Sequence, residues 1–497
     1  MKHIPLSNRF LDLGTQFYKQ SNPVPVMAPA LIKFNKKLAS MMGISVDDIN
    51  LAEATMIFAG NLVPEDSTPL AMAYSGSQFG SFNPQLGDGR AIYLGELNQA
   101  DGSSYDVQLK GSGRTAYSRN GDGRSALGPV LREYLVSEAM YKLNVPTTRA
   151  LAAVTTGEEV ARETLGPGGI LTRIASSFVR VGTFQYFASK GDIKSIKILA
   201  DYVIERNYEN IKGMENQYLD FFKSVVERQA KLIAQWMHLG FIHGVMNTDN
   251  MSVAGETIDY GPCAFMDEFN HNQVYSFIDR GGRYAYSNQP SIGLWNLTRL
   301  AECLVPLFAE TTEESVELAK EVLQSYEASY EKTWLTGMRL KIGLVKTNSK
   351  GDDLDDKRLI ESLLEIMQVN HADFTLTFFY LSRLNITYSE LDKELKKLFD
   401  NPEVIESWLV KWRLRLSEHT TSDAERQLSM QSVNPVYIPR NHLIEEVIRA
   451  AEDNNDFTLF HELHSILENP YSLQEGVEKY MLPPEPEQVV ENTFCGT

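Results

Sequence analysis

The run Phe241-Ile242-His243-Gly244-Val245-Met246-Asn247-Thr248-Asp249-Asn250, followed by Asp259-Tyr260-Gly261, constrains this chain more than any other feature. Ahead of it, Val225, Val226, Leu232, Ile233, Trp236, Met237 and Leu239 recur at helical spacing and stop at Gly240. A glycine just past a helix supplies the left-handed residue that closes it. The polar loop that follows sets Asn250 beside Asp249. Met251-Ser252-Val253 and Thr257-Ile258, with a turn at Ala254-Gly255, predict a short hairpin that returns Asp259 to the side of Asn250. Amide and carboxylate oxygens are hard ligands, the type Mg²⁺ takes while it also holds phosphate oxygens.

The spacing from His243 to Asn250, with Asp259-Tyr260-Gly261 beyond it, matches the catalytic loop and metal motif of protein kinases. One position departs. Val245 stands where a kinase carries its catalytic aspartate, and valine cannot accept a proton. Asp249 is the remaining carboxylate of the loop. Such a chain is either a kinase that has lost transfer or one that does different chemistry.

The chain has 497 residues and a formal net charge of −18. It is long enough for two or more units with sizeable cores. The acidity argues against nucleic acid or an anionic membrane as the main partner. No run of apolar residues is long enough for a transmembrane helix, and the first residues lack a secretory pattern. The three cysteines, Cys263, Cys303 and Cys495, exclude a disulfide scaffold and a four-cysteine zinc site, and fit a reducing cytoplasm.

Residues 1–75 read as an extension, extended around Pro23, Pro25 and Pro29, with a short helix over 31–42. Residues 76–184 carry glycine-rich turns and strands. Two of these, 91–97 and 105–110, flank a turn at Asp101-Gly102, so Lys110 ends a strand where kinases place their phosphate-binding lysine. The run from Gly111 to Pro129 combines glycines with Arg114, Arg119 and Arg124. Freed backbone amides and guanidinium forks of this kind suit phosphate oxygens, and Asp122-Gly123 lies among them.

A helix over 131–143 offers Glu133 and Glu138 as partners for Lys110, and periodicity does not choose between them. Strands over 150–155 and 160–162 are joined at Gly157, and Gly166-Pro167-Gly168-Gly169 reads as a loop. Strands over 170–175 and 178–182 carry Arg173 and Arg180, both set among apolar residues that aim them at an anion. From 185 to 480 the pattern is mainly helical, with helices over 314–334, 356–368, 374–384 and 388–397 packed as a bundle. The scattered His371, His419, His442, His461 and His464 lack thiol or carboxylate companions and read as structural. Residues 481–497 form a proline-acid tail, whose Cys495 could reach Cys263 in a redox contact.

These residues resemble the selenoprotein O family. The resemblance is carried by Gly87-Asp88-Gly89-Arg90, Gln108-Leu109-Lys110-Gly111-Ser112-Gly113, Arg132-Glu133-Tyr134-Leu135, Leu171-Thr172-Arg173 and above all His243–Asn250 with Asp259-Tyr260-Gly261-Pro262. Trp295-Asn296-Leu297 and Pro439-Arg440-Asn441-His442 extend it over most of the chain. It implies an α+β, protein-kinase-like bilobal fold, a β-rich small lobe over 76–184 and a helical larger lobe over 185–480, with terminal extensions. It implies ATP bound in a flipped orientation and transfer of AMP to Ser, Thr or Tyr hydroxyls of proteins, releasing pyrophosphate. Bacterial members are linked to UMP transfer with Mn²⁺. The family pattern places Gly87, Gly89, Arg90, Lys110, Asp122, Gly123, Arg173 and Arg180 at the nucleotide. It gives Asn250 and Asp259 to Mg²⁺ or Mn²⁺, makes Asp249 the general base and favours Glu133 as the partner of Lys110. An atypical kinase using Asp249, or a silent nucleotide-binding scaffold, is the alternative. The single tail cysteine departs from members whose tails carry paired redox residues.

Overall fold

Alternating apolar residues in the first third of the chain give strands, and the computed structural model joins them into one antiparallel sheet. It describes residues 4–47, 49–162, 164–344, 352–418 and 420–494. The strands run in the order Tyr18–Gln20, Leu70–Met72, Ala91–Asn98, Ser104–Lys110, Leu165–Ala175, Arg149–Ala161 and Ala30–Phe34. Leu6–Ser7 adds to Ala91–Asn98, and Ser125–Ala126 adds to Leu165–Ala175. The first 75 residues therefore supply four strands to this sheet. The remainder of the chain is mainly helical.

Several local expectations change in the fold. The span read as one helix over 31–42 divides into the strand Ala30–Phe34 and the helix Lys36–Met41. The strands expected over 150–155 and 160–162 are one strand, Arg149–Ala161, with a register shift at Gly157. The expected loop 166–169 lies inside the strand Leu165–Ala175. Glycine and proline signal turns locally, but here a neighbouring strand supplies the ladder partners, Thr155 opposite Gly169 and Val160 opposite Gly166. Residues 178–182 make only a bridge from Arg180 to Ser252 before the helix Val181–Ala188 begins. The hairpin expected over 251–258 does not form. Ser252 pairs with Arg180 and Thr257 pairs in parallel with Thr147, so each arm is held by a different partner.

The helix Leu127–Lys142 lies on the sheet and is buried on nearly every side. Its outer face is covered by Asn441–Asn454 and Thr458–Leu467; Tyr134 packs at 5.4 Å from the Phe460 ring. Gln217–Leu239 ends at Gly240, whose φ of +67° is the left-handed cap anticipated above. That helix packs on Gln289–Leu304 and Thr312–Lys341. A second core gathers Trp408, Trp412, Phe374 and Phe378 among Thr312–Lys341, Asp352–Val369, Phe374–Leu381 and Pro402–Leu416. Among the described residues no helix is long and apolar enough to cross a membrane.

The tail lies back on the chain. Thr493 pairs with Ser276, and its hydroxyl donates to Pro262 O at 2.7 Å. Cys495 lies outside the described residues, so the contact expected between it and Cys263 does too; Cys263 is buried.

Candidate active site

One wall of the site is built by sheet register. Residues two apart on a strand share a face, so Gln108 points with Lys110, and Arg173 stands directly opposite Gln108 on the next strand. The helix Leu127–Lys142 covers this face. Lys110, 8% exposed, pairs through Nζ with Glu133 and lies 3.8 Å from Asp259 Oδ1. Glu138 turns elsewhere: it accepts from Arg149 Nε at 2.8 Å and from Ala150 N at 2.9 Å. The structure thus decides between the two glutamates that spacing left open.

Asp259 is the meeting point of this wall. Arg173 Nη1 lies 2.6 Å from its Oδ1 and 3.2 Å from Glu133 Oε1, while Arg180 Nη1 donates to its Oδ2. Burial would push the Asp259 carboxyl up, but Arg180, Arg173 and Lys110 together outweigh it and hold it well below the usual carboxylate range. Its φ of +60° is a conformation that aspartate tolerates better than most residues.

The opposite wall is covered by neutral groups. Asp249 sits in the single turn Thr248–Asn250, 7% exposed. The hairpin of Gly76–Gln78 and Ser81–Asn83 lies across it. Ser77 N donates to Thr248 Oγ1 at 2.6 Å, and Phe79 N donates to Asn247 Oδ1 at 3.1 Å. Gly76 allows this approach, because a Cβ there would stand 2.2 Å from Asp249 Oδ1. Gln78 Nε2 donates to Asp249 Oδ2 at 3.2 Å; Oδ1 is buried with no hydrogen-bond partner among the described residues. Burial pushes the Asp249 carboxyl up to about 6, with Arg180 and Gln78 opposing in part.

Between the walls lies a cleft of about 960 Å³. Lys110, Arg173, Arg180, Asp249, Asn250 and Asp259 line its depth; Gly87, Gly89, Arg90, Asp122 and Gly123 line it too. Of the residues that the family pattern assigns to the site, Glu133 alone is not in the lining: it stands behind Lys110. The Asp122 carboxylate is exposed and held at the rim by Arg162, with contacts of 2.9 and 3.0 Å. Arg119 and Arg124 also line the cleft, but Arg124 is tied to the carbonyls of Val24 and Pro25. Arg114 does not line it and donates instead to Arg119 O.

The residues present fit a divalent cation as a two-ligand site. Asn250 Nδ2 donates to Val245 O at 3.0 Å, which fixes the amide and leaves its oxygen available. Asp259, whose two oxygens here accept from Arg173 and Arg180, would supply a second hard oxygen. Among the described residues no three His, Cys, Asp or Glu side chains converge as a metal cluster, so the other ligands would come from phosphate and water, as Mg²⁺ commonly accepts.

Two residues of the wall were not singled out from sequence as members of the site. Asp88, 2% exposed, accepts from Met72 N at 3.0 Å and from Gln108 Nε2 at 3.1 Å, and Gln108 accepts from Arg173. The same-face spacing of Gln108 and Lys110 was the available signal. The hairpin that buries Asp249 had none beyond its turn-rich composition.

The comparisons agree over the whole chain. The model of the family described as protein adenylyltransferase SelO matches residues 2–468. Protein nucleotidyltransferase YdiU of Rhizobium meliloti (strain 1021) is 53% identical over 490 residues, spanning 99% of both chains. The protein of that name from Rhodopseudomonas palustris (strain BisB5) is 52% identical over 495 residues, spanning 100% of this chain and 99% of the relative. With its full length matched by these relatives, the chain belongs to the protein adenylyltransferase SelO family.

Proposed function

We propose that this chain is a protein nucleotidyltransferase that moves AMP from ATP to Ser, Thr or Tyr hydroxyls of proteins, and UMP from UTP. In this reading residues 76–184 and 185–480 are the small and large lobes of a protein-kinase-like fold. The observation that carries the chemistry is the contrast between two carboxylates in one cleft, Asp249 buried and Asp259 half-buried. Asp259 is held ionised by three cations; Asp249 has a single amide on its carboxylate, and burial raises it to about 6 against partial opposition from Arg180. Carboxyls pushed apart in this way divide into a charge-holding and a proton-moving role.

Asp249 takes the proton of the acceptor hydroxyl. The hydroxyl oxygen bonds to the α-phosphorus, the bond from that phosphorus to the bridging oxygen breaks, and pyrophosphate leaves. Lys110, Arg173 and Arg180, steadied by Glu133, meet the charge that grows on the leaving group. Gly87, Gly89, Arg90, Asp122 and Gly123 hold the rest of the nucleotide. Mg²⁺ or Mn²⁺ at Asn250 and Asp259 would neutralise phosphate charge.

Parallel reactions with ATP labelled at the α- or the γ-phosphate test the reading. Protein labelled from the α-phosphate supports it. Label from the γ-phosphate alone makes the chain a kinase, and no label from either makes it a nucleotide-binding scaffold.

A further inference from the structure

The motif Pro439-Arg440-Asn441-His442 lies outside the cleft, yet Arg440 is fully buried and Asn441 is 2% exposed. Their side chains reach in two directions. Arg440 Nη1 bonds Asp267 and lies 2.7 Å from Asp373 Oδ2, and its Nη2 donates to Met481 O at 3.0 Å. Asp267 follows the strand Ala264–Phe265, which pairs with Phe241–Ile242. Phe241–Ile242 opens into the loop of Asp249 and Asn250, and Ala264–Phe265 closes the segment that starts at Asp259. Holding Asp267 therefore holds both ends of the metal-side loops.

Asn441 works on the other wall. Its Oδ1 accepts from Arg132 Nη1 at 3.0 Å, and Arg132 also bonds Glu445. Arg132 is 4% exposed and adjoins Glu133, the partner of Lys110. Glu452, on the same helix as Asn441, accepts from Gly128 N at 2.9 Å and fixes the start of the Glu133 helix. One helix N-terminus thus bonds the segment behind the loops of Asp249 and Asp259 and the helix that carries Glu133.

We propose that Arg440 and Asn441 are a pair of positioning residues that sets the helix of Glu133, behind Lys110, in register with the loops that carry Asp249, Asn250 and Asp259. Arg440 acts through Asp267, and Asn441 acts through Arg132. The inference rests on the site reading above for its effect on rate, and on geometry alone for its effect on the two segments.

The test uses the full chain. Asn441→Ala lowers kcat/KM for ATP about ten-fold, but less than about two-fold in a Glu133→Gln background, because both changes act on the same wall. Asn441→Asp keeps an oxygen facing Arg132 and gives up only an Nδ2 that has no partner, so it stays within about two-fold of wild type. Amide exchange adds a readout that needs no activity. Asn441→Ala speeds exchange over 127–135 and leaves 264–269 unchanged; Arg440→Lys, chosen because an alanine would strand two buried carboxylates, does the reverse. Equal losses in both Glu133 backgrounds, or faster exchange in both segments from either variant, overturn the proposal. A wild-type chain that transfers no label defeats the site reading instead, and the exchange pattern still decides the positioning role.

Discussion

The two walls of the cleft bury carboxylates in opposite ways. Around Asp259 the sheet and its covering helix bring Lys110, Arg173 and Arg180 to one acid, with Glu133 sharing the charge. Around Asp249 a short hairpin brings backbone, a glycine and a single amide. Both acids are removed from water, which disfavours the ionised form. Three cations outweigh burial at the first; at the second Arg180 offsets it only in part. Burial by itself does not set the role of a carboxylate; the charge that is buried with it does.

Substitutions on each wall sharpen or break that contrast. Asp259→Asn is expected to lower α-label transfer at least about 10³-fold, since it would take away the oxygen proposed for the metal and the charge that balances Lys110, Arg173 and Arg180. A rate within ten-fold of wild type at saturating Mg²⁺ would remove Asp259 from the site. Asp249→Asn is expected to cost about 10²–10³-fold in kcat, the range of a lost general base, with nucleotide affinity by calorimetry little changed. In the wild type kcat/KM is expected to fall as pH drops through about 6, where burial places the protonation of Asp249. A rate that stays flat down to pH 5 contradicts the assignment. Lys110→Met is expected to lose about 10²-fold, because a buried cation aimed at the phosphates is gone; steady-state transfer rates check it.

Stability gives a further, opposite-signed test. The folded-state value of Asp249, about 6, lies above the ordinary 3.8. The cost of keeping it ionised is therefore fully present above about pH 6 and absent below about pH 4. Asp249→Asn should stabilise the nucleotide-free protein at pH 8 by roughly 2–3 kcal/mol. The gain should shrink as pH falls through 6 toward 4, as measured by urea unfolding. The smallest effect is expected from Gly76→Ala, about ten-fold in rate, through the clash of its Cβ with Asp249 Oδ1. Unaltered transfer by Gly76→Ala would show that the hairpin does not seat on Asp249.

Much of the cleft could be seen in the chain itself. A strand that ends in Lys110, a loop of kinase length from His243 to Asn250 and a helix closed by Gly240 are short-range patterns, each set by residues within a few positions of one another. The choice of Glu133 over Glu138 was not of this kind, because both lie on the buried helix and only its seating on the sheet separates them.

The amino-acid sequence alone determined the local pieces: the metal-side loop with Val245 in place of an acid, the lysine strand and the family. Tertiary structure decided which pieces meet. It placed Ser252 against Arg180 and Thr257 against Thr147 in place of a hairpin, laid Gly76–Asn83 over Asp249, and ran Arg440 to Asp267 and Asn441 to Arg132. Those partners lie from tens to hundreds of positions apart in the chain. Their contacts depend on how whole elements pack, and side-chain spacing within one element carries no record of that.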